Sequence, residues 1–346
     1  SLSTSTVPQQ WKQASIAAPK QHADFRPISI TPVLTRVMER TIVTKFLYPA
    51  FLSPPPTLSF GDQFAFRPTG STTAALIQLF HTITTMLTTN PYVIVICLDF
   101  SKAFDTVRHA TLLEKLAQLD LPEHVYNWLA DFFSGHSHCT QYLGQQSTLR
   151  EITASIIQGS GIGPASYVVN AADLQPVTAG NKMDKFADDT YIVIPAANVD
   201  SRQTEISHAE AWAAANNLKV NQAKYAEIVF VDRRRRSRVQ PPPPLPGITR
   251  VTTVKILGVT VTNSLSVAEH VRAVLCSSAQ TMYALGVLRG HGMDYAALQT
   301  VFRAVVIAKL QYASSAWWGF AAEPDRQRIA AFIRRSARCG LRLRAC

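Results

Sequence analysis

The chain has 346 residues, 47% of them hydrophobic and 16% charged, enough apolar material for a sizeable core and too much for wholesale disorder. Its 34 Lys and Arg against 23 Asp and Glu leave a formal net charge of +11, which favours a polyanionic partner, either nucleic acid or an anionic membrane surface. After a Ser/Thr-rich start, Val33, Leu34, Val37, Met38, Ile42, Phe46 and Leu47 recur at helical spacing over 33–48, and Ser53-Pro54-Pro55-Pro56 ends that helix. Residues 71–88 read as a second helix with Ser71 as its N-cap. The unbroken Val/Ile-rich run Tyr92 to Leu98 is the pattern of a buried central strand. Helices are expected over 109–119 and 122–133, a hairpin or strand pair over 139–157, and a helix over 165–174 after the turn Gly159-Ser160-Gly161-Ile162-Gly163-Pro164. Residues 183–194 read as strand, turn and strand with Ala187-Asp188-Asp189 at the bend, followed by an Ala-rich helix over 203–217. Strands at about 225–231 and 251–261 flank an extended loop that holds Pro241 to Pro244. Beyond residue 265 the pattern is helical, about three helices, with a break at Gly290-His291-Gly292.

The positive charge is clustered. Arg233, Arg234, Arg235, Arg236 and Arg238 form one run, and Arg326, Arg328, Arg334, Arg335, Arg338, Arg342 and Arg344 a second set. Such runs are solvated faces as often as binding surfaces, and the first is compatible with nuclear import. No run of 18 apolar residues occurs, and the best stretch, Ala304 to Phe320, is broken by Lys309 and Gln311. The first 20 residues lack the basic-then-apolar pattern of a signal peptide. Nucleic acid is therefore the expected polyanion, with no membrane partner. Cys97, Cys139, Cys276, Cys339 and Cys346 form no CxxC pair, which argues against a zinc knuckle and suits reduced thiols in an intracellular protein.

The chemical signal is Asp99 at the end of one apolar strand and Asp188-Asp189 at a hairpin tip. An Asp-Asp pair at a turn is by itself ordinary turn chemistry. Two adjacent strands would bring Asp99 and Asp188 together, however, and buried carboxylates that close together call for a cation. Mg2+ takes a few carboxylate oxygens and completes its shell with substrate phosphates. A pair of such ions, roughly 4 Å apart, can activate an attacking hydroxyl and stabilise the oxygen that leaves.

The order of short motifs resembles the reverse transcriptase of non-LTR (LINE-type) retrotransposons. Asp24-Phe25-Arg26-Pro27-Ile28-Ser29 and Gln63-Phe64-Ala65-Phe66-Arg67-Pro68, with Ser71-Thr72, are similar to two fingers segments of that family. Leu98 to Asp105 resembles its motif A, Gln158 to Pro164 its motif B, Phe186-Ala187-Asp188-Asp189 its motif C, Asn221 to Lys224 its motif D, and Ile256-Leu257-Gly258 its motif E. These matches cover about residues 11–262.

The resemblance implies an α+β, right-hand polymerase: fingers and palm with an antiparallel sheet over 1–262, then an α-helical thumb with a basic tail over 263–346. It implies an RNA-directed DNA polymerase, a nucleotidyltransferase that extends a primer 3′-hydroxyl with dNTPs on an RNA template, using two Mg2+ ions or Mn2+ in their place. Asp99, Asp188, Asp189 and Lys224 would be catalytic. The metal ligands would be Asp99, Asp188, Asp189 and the carbonyl of Phe100. Arg26, Arg67, Phe104, Gln158 and Gly159 would bind the incoming nucleotide, Phe104 as the gate that excludes a 2′-hydroxyl. Lys224 would protonate or neutralise pyrophosphate, and Leu257 and Gly258 would belong to the primer grip.

The chain also departs from the family pattern. The spacing between Lys20 and Asp24 is short, Ala65 replaces a common Gly, and Tyr225 stands where Thr or Ser is frequent. No endonuclease precedes the motifs and no Cys/His knuckle follows them, so the chain reads as a piece of a longer element protein. The rival expectations are a catalytically impaired nucleic-acid-binding remnant of such an element and a palm polymerase that takes ribonucleotides; Phe104 speaks against the latter. Oligomeric state is not legible.

Overall fold

The computed structural model describes residues 1–17, 29–142, 144–152, 154–157, 159–232 and 240–341. In chain order the strands are β1 (Gln13–Ala17), β2 (Ser29–Ile30), β3 (Tyr92–Leu98), β4 (Phe100–Ser101), β5 (His136–Tyr142), β6 (Gln145–Gln146), β7 (Arg150–Ile152), β8 (Lys182–Phe186), β9 (Asp189–Pro195), β10 (Lys219–Val220), β11 (Ala226–Val231), β12 (Thr249–Val251), β13 (Thr253–Ile256) and β14 (Val259–Thr262). One of two five-stranded sheets has the order β12-β11-β3-β9-β8. As the unbroken apolar run requires, β3 is its middle strand, with Val93, Ile94, Val95 and Ile96 completely buried.

The chain divides into two compact units. The first comprises Ser1–Ser71, Cys97–Ile192 and Asp200–Tyr225. It holds β8 with the parts of β3 and β9 nearest Asp99 and Asp189, the pair β4-β10, and the sheet of β1, β2, β5, β6 and β7. That second sheet contains the expected antiparallel pairing over 139–157 and adds strands to it. β1 runs parallel to β5, with Gln13 beside Ser137 and Ala17 beside Gln141, while β6 and β7 pair antiparallel with β5. The helix Glu123–Phe132 buries Val125, Trp128, Leu129 and Phe132, the spacing of one helical face. The helix that begins at Val33 runs to Ile42 and continues as a π-turn over Val43–Leu47 into Tyr48–Ala50. Pro49 explains the wider turn, since it lacks an N–H and its ring crowds the carbonyl four residues earlier.

The second unit comprises Thr72–Ile96, Val193–Val199 and Ala226–Cys346. The helix Thr72–Thr89 buries Leu76, Leu79, Phe80 and Ile83, and Phe80 meets Phe320 edge to face with ring centroids 5.5 Å apart. β13 and β14 form a two-residue hairpin with Ile256 opposite Val259. After it come the helices Ala268–Gly290, Tyr295–Val301 and Glu323–Arg338, with shorter turns between, packed around Leu285, Leu298, Phe302, Val306 and Phe332. By length and composition the helix Ala268–Gly290 is apolar enough to cross a membrane. Ser277, Ser278, Gln280 and Thr281 interrupt its apolar run.

Lys185 is the buried pin of the first unit. It is 1% exposed, and its Nζ donates to the carbonyls of Ala171 and Leu174, each at 2.8 Å, and to Asp62 Oδ2 at 2.9 Å. A buried ion pair adds little against an apolar substitute, but removing one partner strands the other. Lys185→Met would leave two carbonyls without this donor and Asp62 with Gln175 Nε2 in place of a cation. It is expected to destabilise the chain by about 3–5 kcal/mol, read as a lowered urea midpoint, with Asp62→Asn/Lys185→Met milder than Lys185→Met alone.

Candidate active site

Asp99 directly follows β3, Asp188 sits in the turn after β8, and Asp189 opens β9. Because β3 and β9 are neighbours, these carboxylates converge at one end of the sheet. Asp189 feels the other two. Asp189 is pushed up to about 6, first by burial and then by Asp188 and Asp99. The hydroxyl of Tyr167, fully buried beside them, is held well above its ordinary range by burial and then by Asp188, Asp189 and Asp99. The Cys97 thiol is pushed up to about 12 by burial and by Asp189.

One cation already serves this patch. Lys224 Nζ donates to Asp99 Oδ2 at 2.9 Å, and Asn221 Nδ2 lies 3.4 Å from the same oxygen. The Asn221 N–H donates to the Asp99 carbonyl at 2.8 Å, and β10 pairs with β4 so that Val220 lies opposite Phe100. This pairing brings the Asn221–Lys224 segment to Asp99. The Lys224 ammonium is itself raised, first by its bond to Asp99. Among the described residues no three His, Cys, Asp or Glu side chains are arranged closely enough to hold one ion. The donor chemistry nevertheless fits a divalent cation, since carboxylate oxygens are the ligands such an ion takes and both Asp188 and Asp99 act on Asp189.

The expected nucleotide pocket is built beside them. Phe104 stacks on Tyr167, with ring centroids 4.5 Å apart and planes at 23°. Its other neighbour is Phe66, edge-on at 6.2 Å and 41% exposed. Gly159 has φ +104°, a backbone that only glycine adopts without strain. A side chain on Gly161 would press within 3.2 Å of the Arg36 carbonyl and Glu39 Cβ. Glu39, buried at 0% exposure, accepts the Ile162 N–H at 3.0 Å and so caps the helix Gly163–Asn170. The sequence gives no local sign of this role, because Glu39 lies on a helix 123 residues from its partner.

Arg67 donates to the Gln63 carbonyl at 3.1 Å, within its own loop. In the second unit, Leu257 and Gly258 form the β13–β14 turn with φ +44° and +86°. The Tyr312 hydroxyl donates to the Leu257 carbonyl at 2.8 Å, and a Cβ on Gly258 would lie 3.1 Å from the Tyr312 ring. Arg26, Gln158 and the run Arg233 to Arg238 lie outside the described residues.

The family model described as reverse transcriptase (RNA-dependent DNA polymerase) matches residues 18–261. The chain is 27% identical to the RNA-directed DNA polymerase from mobile element jockey of Drosophila melanogaster, over 78% of this chain and 31% of the relative. It is 26% identical to the probable RNA-directed DNA polymerase from transposon X-element of the same species, over 96% of this chain and 38% of the relative. The chain thus spans about a third of the length of these relatives. Among solved structures it resembles telomerase from Candida tropicalis in complex with a fragment of telomeric RNA, with a TM-score of 0.57 and 11% identity over 94% of this chain and 57% of that one. The apo telomerase of the same species matches with a TM-score of 0.54 and 10% identity, over 93% of this chain and 61% of that one. The fold is therefore the polymerase α+β fold, here with parallel pairings β1-β5 and β11-β12 among the antiparallel ones.

Glu39 gives the Gly-rich turn a dependence on pH. Burial outweighs its hydrogen bonds and raises its carboxyl from 4.5 to about 7. The folded chain then binds this proton more tightly than the unfolded one. The stabilisation is fully present below about pH 4.5 and is lost as pH rises to about 7. Glu39→Gln cannot ionise, so its stability relative to wild type should rise between about pH 5 and pH 8, by a few kcal/mol at most. Urea unfolding at both pH values measures that difference, and an unchanged gap would contradict the buried, raised carboxyl.

Proposed function

The chain belongs to the reverse transcriptase (RNA-dependent DNA polymerase) family, and on that premise we propose that it extends a DNA primer on an RNA template, as part of a non-LTR retrotransposon protein. The primer 3′-hydroxyl attacks the α-phosphorus of a dNTP, a phosphodiester bond forms, and pyrophosphate leaves. The observation that carries the reading is the convergence of Asp99, Asp188 and Asp189 at the ends of β3 and the β8–β9 turn, with Asp189 pushed up by burial and then by the other two. Residues 1–262 act as fingers and palm and 263–346 as thumb.

Asp99 and Asp188 would hold two Mg2+ ions, or Mn2+, with Asp189 and the Phe100 carbonyl adding oxygens; ions bound there make the hydroxyl a better nucleophile and offset the charge of the leaving pyrophosphate. The remaining work falls to the chain's own side chains. Lys224, kept protonated by Asp99, neutralises pyrophosphate or hands it a proton. Phe104, braced by Tyr167, fills the space a 2′-hydroxyl would need. Gly159 lets backbone approach the base pair being formed, and Arg26, Arg67 and Gln158 contact the nucleotide. Leu257 and Gly258, anchored by Tyr312, bear on the primer end. Arg326, Arg328, Arg334, Arg335 and Arg338 of the helix Glu323–Arg338 track phosphates, so binding weakens as salt rises.

Primer extension on poly(rA)/oligo(dT) with Mg2+ tests the proposal. Asp188→Asn should lower the rate by about a thousandfold or more while template–primer binding persists. Binding without extension in the wild type would favour the impaired remnant. Phe104→Ala should keep dNTP extension and raise incorporation of ribonucleotides about 10- to 100-fold relative to dNTPs, measured in single-nucleotide assays.

A further inference from the structure

Gln63 is 2% exposed and lies in the irregular segment that precedes the helix Thr72–Thr89. Its Oε1 accepts the N–H of Ala187 and the N–H of Ala65, each at 3.0 Å, and its Nε2 lies 3.4 Å from the Ala187 carbonyl, as donor. One side-chain amide thus engages both backbone polar groups of the residue immediately before Asp188. Ala187 has φ +55°, a left-handed conformation that is strained for a non-glycine residue, so something must hold it there. The backbone around Gln63 is docked on the same strand. Lys185 N–H donates to the Asp62 carbonyl at 2.7 Å, Phe64 N–H donates to the Lys185 carbonyl at 2.9 Å, and Gln63 forms a parallel bridge with Lys185. Asp62 holds the Lys185 ammonium as well.

We propose that Gln63 is a positioning residue for the polymerase reaction: its amide fixes the strained Ala187 peptide, and through it the direction in which Asp188 and Asp189 present their carboxylates. The proposal rests on the polymerase reading above. A primary amide carries a donor and an acceptor in the planar fork this peptide demands. Asn has the same chemistry on a chain one methylene shorter, and Met fills nearly the same volume with neither hydrogen bond.

The test uses the full chain with Gln63→Met and Gln63→Asn in steady-state primer extension. Both variants should lose about 10- to 100-fold in kcat, with KM for dTTP within about twofold of wild type and with poly(rA)/oligo(dT) binding retained. A residue that merely fills the core would spare Gln63→Met, so kcat within twofold of wild type in that variant overturns the proposal, as does a loss of kcat that only tracks a loss of folded protein. Hydrogen exchange of the Ala187 amide in the wild type reads the clamp without any turnover. Protection well beyond that of an open two-residue turn supports it, and exchange at the open-turn rate overturns it. A wild-type chain that protects this amide yet extends no primer would sink the polymerase reading and leave the clamp standing.

Discussion

Repulsion among Asp99, Asp188 and Asp189 is the constraint around which the first unit is organised. Left to solvent, carboxylates on adjacent strand ends would turn outward and separate. Here they are denied that choice. β3 and β9 are neighbours deep in a sheet, Tyr167 closes off the interior beside them, and the backbone of the β8–β9 turn is tied down on its far side. Burial first, and then Asp188 and Asp99, raise the Asp189 carboxyl, and Lys224, bonded to Asp99, offsets part of that. Energy stored this way is characteristic of functional sites, where groups that would relax apart are kept together by the surrounding fold.

The neighbours of these carboxylates are packed against one another. Phe104 is sandwiched by Tyr167 and Phe66, and the Gly-rich turn is pressed against the helix that carries Glu39. Each residue in this shell touches another member of the site or its scaffold, so a shift in one is felt by the next. The likeness to telomerase structures at about 11% identity shows how little sequence such a framework needs. What must persist is the placement of a few side chains and the backbone that aims them.

Much of this was legible in the chain itself. β3 was visible because a fully buried strand has no polar face to confuse its pattern, and the β8–β9 hairpin because its turn residues interrupt two apolar runs. The ordered motifs singled out Asp99, Asp188 and Lys224, and Lys224 Nζ lies 2.9 Å from Asp99 Oδ2. Other features were not legible, and for a common reason. β1 is short and mixed in polarity, and its parallel partner β5 lies more than a hundred residues on. Glu39 and Gln63 read as an ordinary helix glutamate and a motif letter, yet their hydrogen-bond partners are 123 and 124 residues away. Local periodicity reports which face of an element is buried, and it carries no record of which distant backbone group a buried polar side chain will meet. The π-turn at Val43–Leu47 could have been anticipated from Pro49.

The Tyr312 ring over Gly258 ties two positions of the second unit into one unit of variation. A side chain at 258 would meet that ring, and it would also have to adopt φ +86°. Trimming Tyr312 removes the first obstacle and leaves the second, while also releasing the Leu257 carbonyl from its donor. Substitutions here are therefore epistatic and ordered: change at 312 can precede change at 258, but the reverse order passes through a state that is both crowded and strained. Among diverging copies of such a chain, Gly258 should drift last.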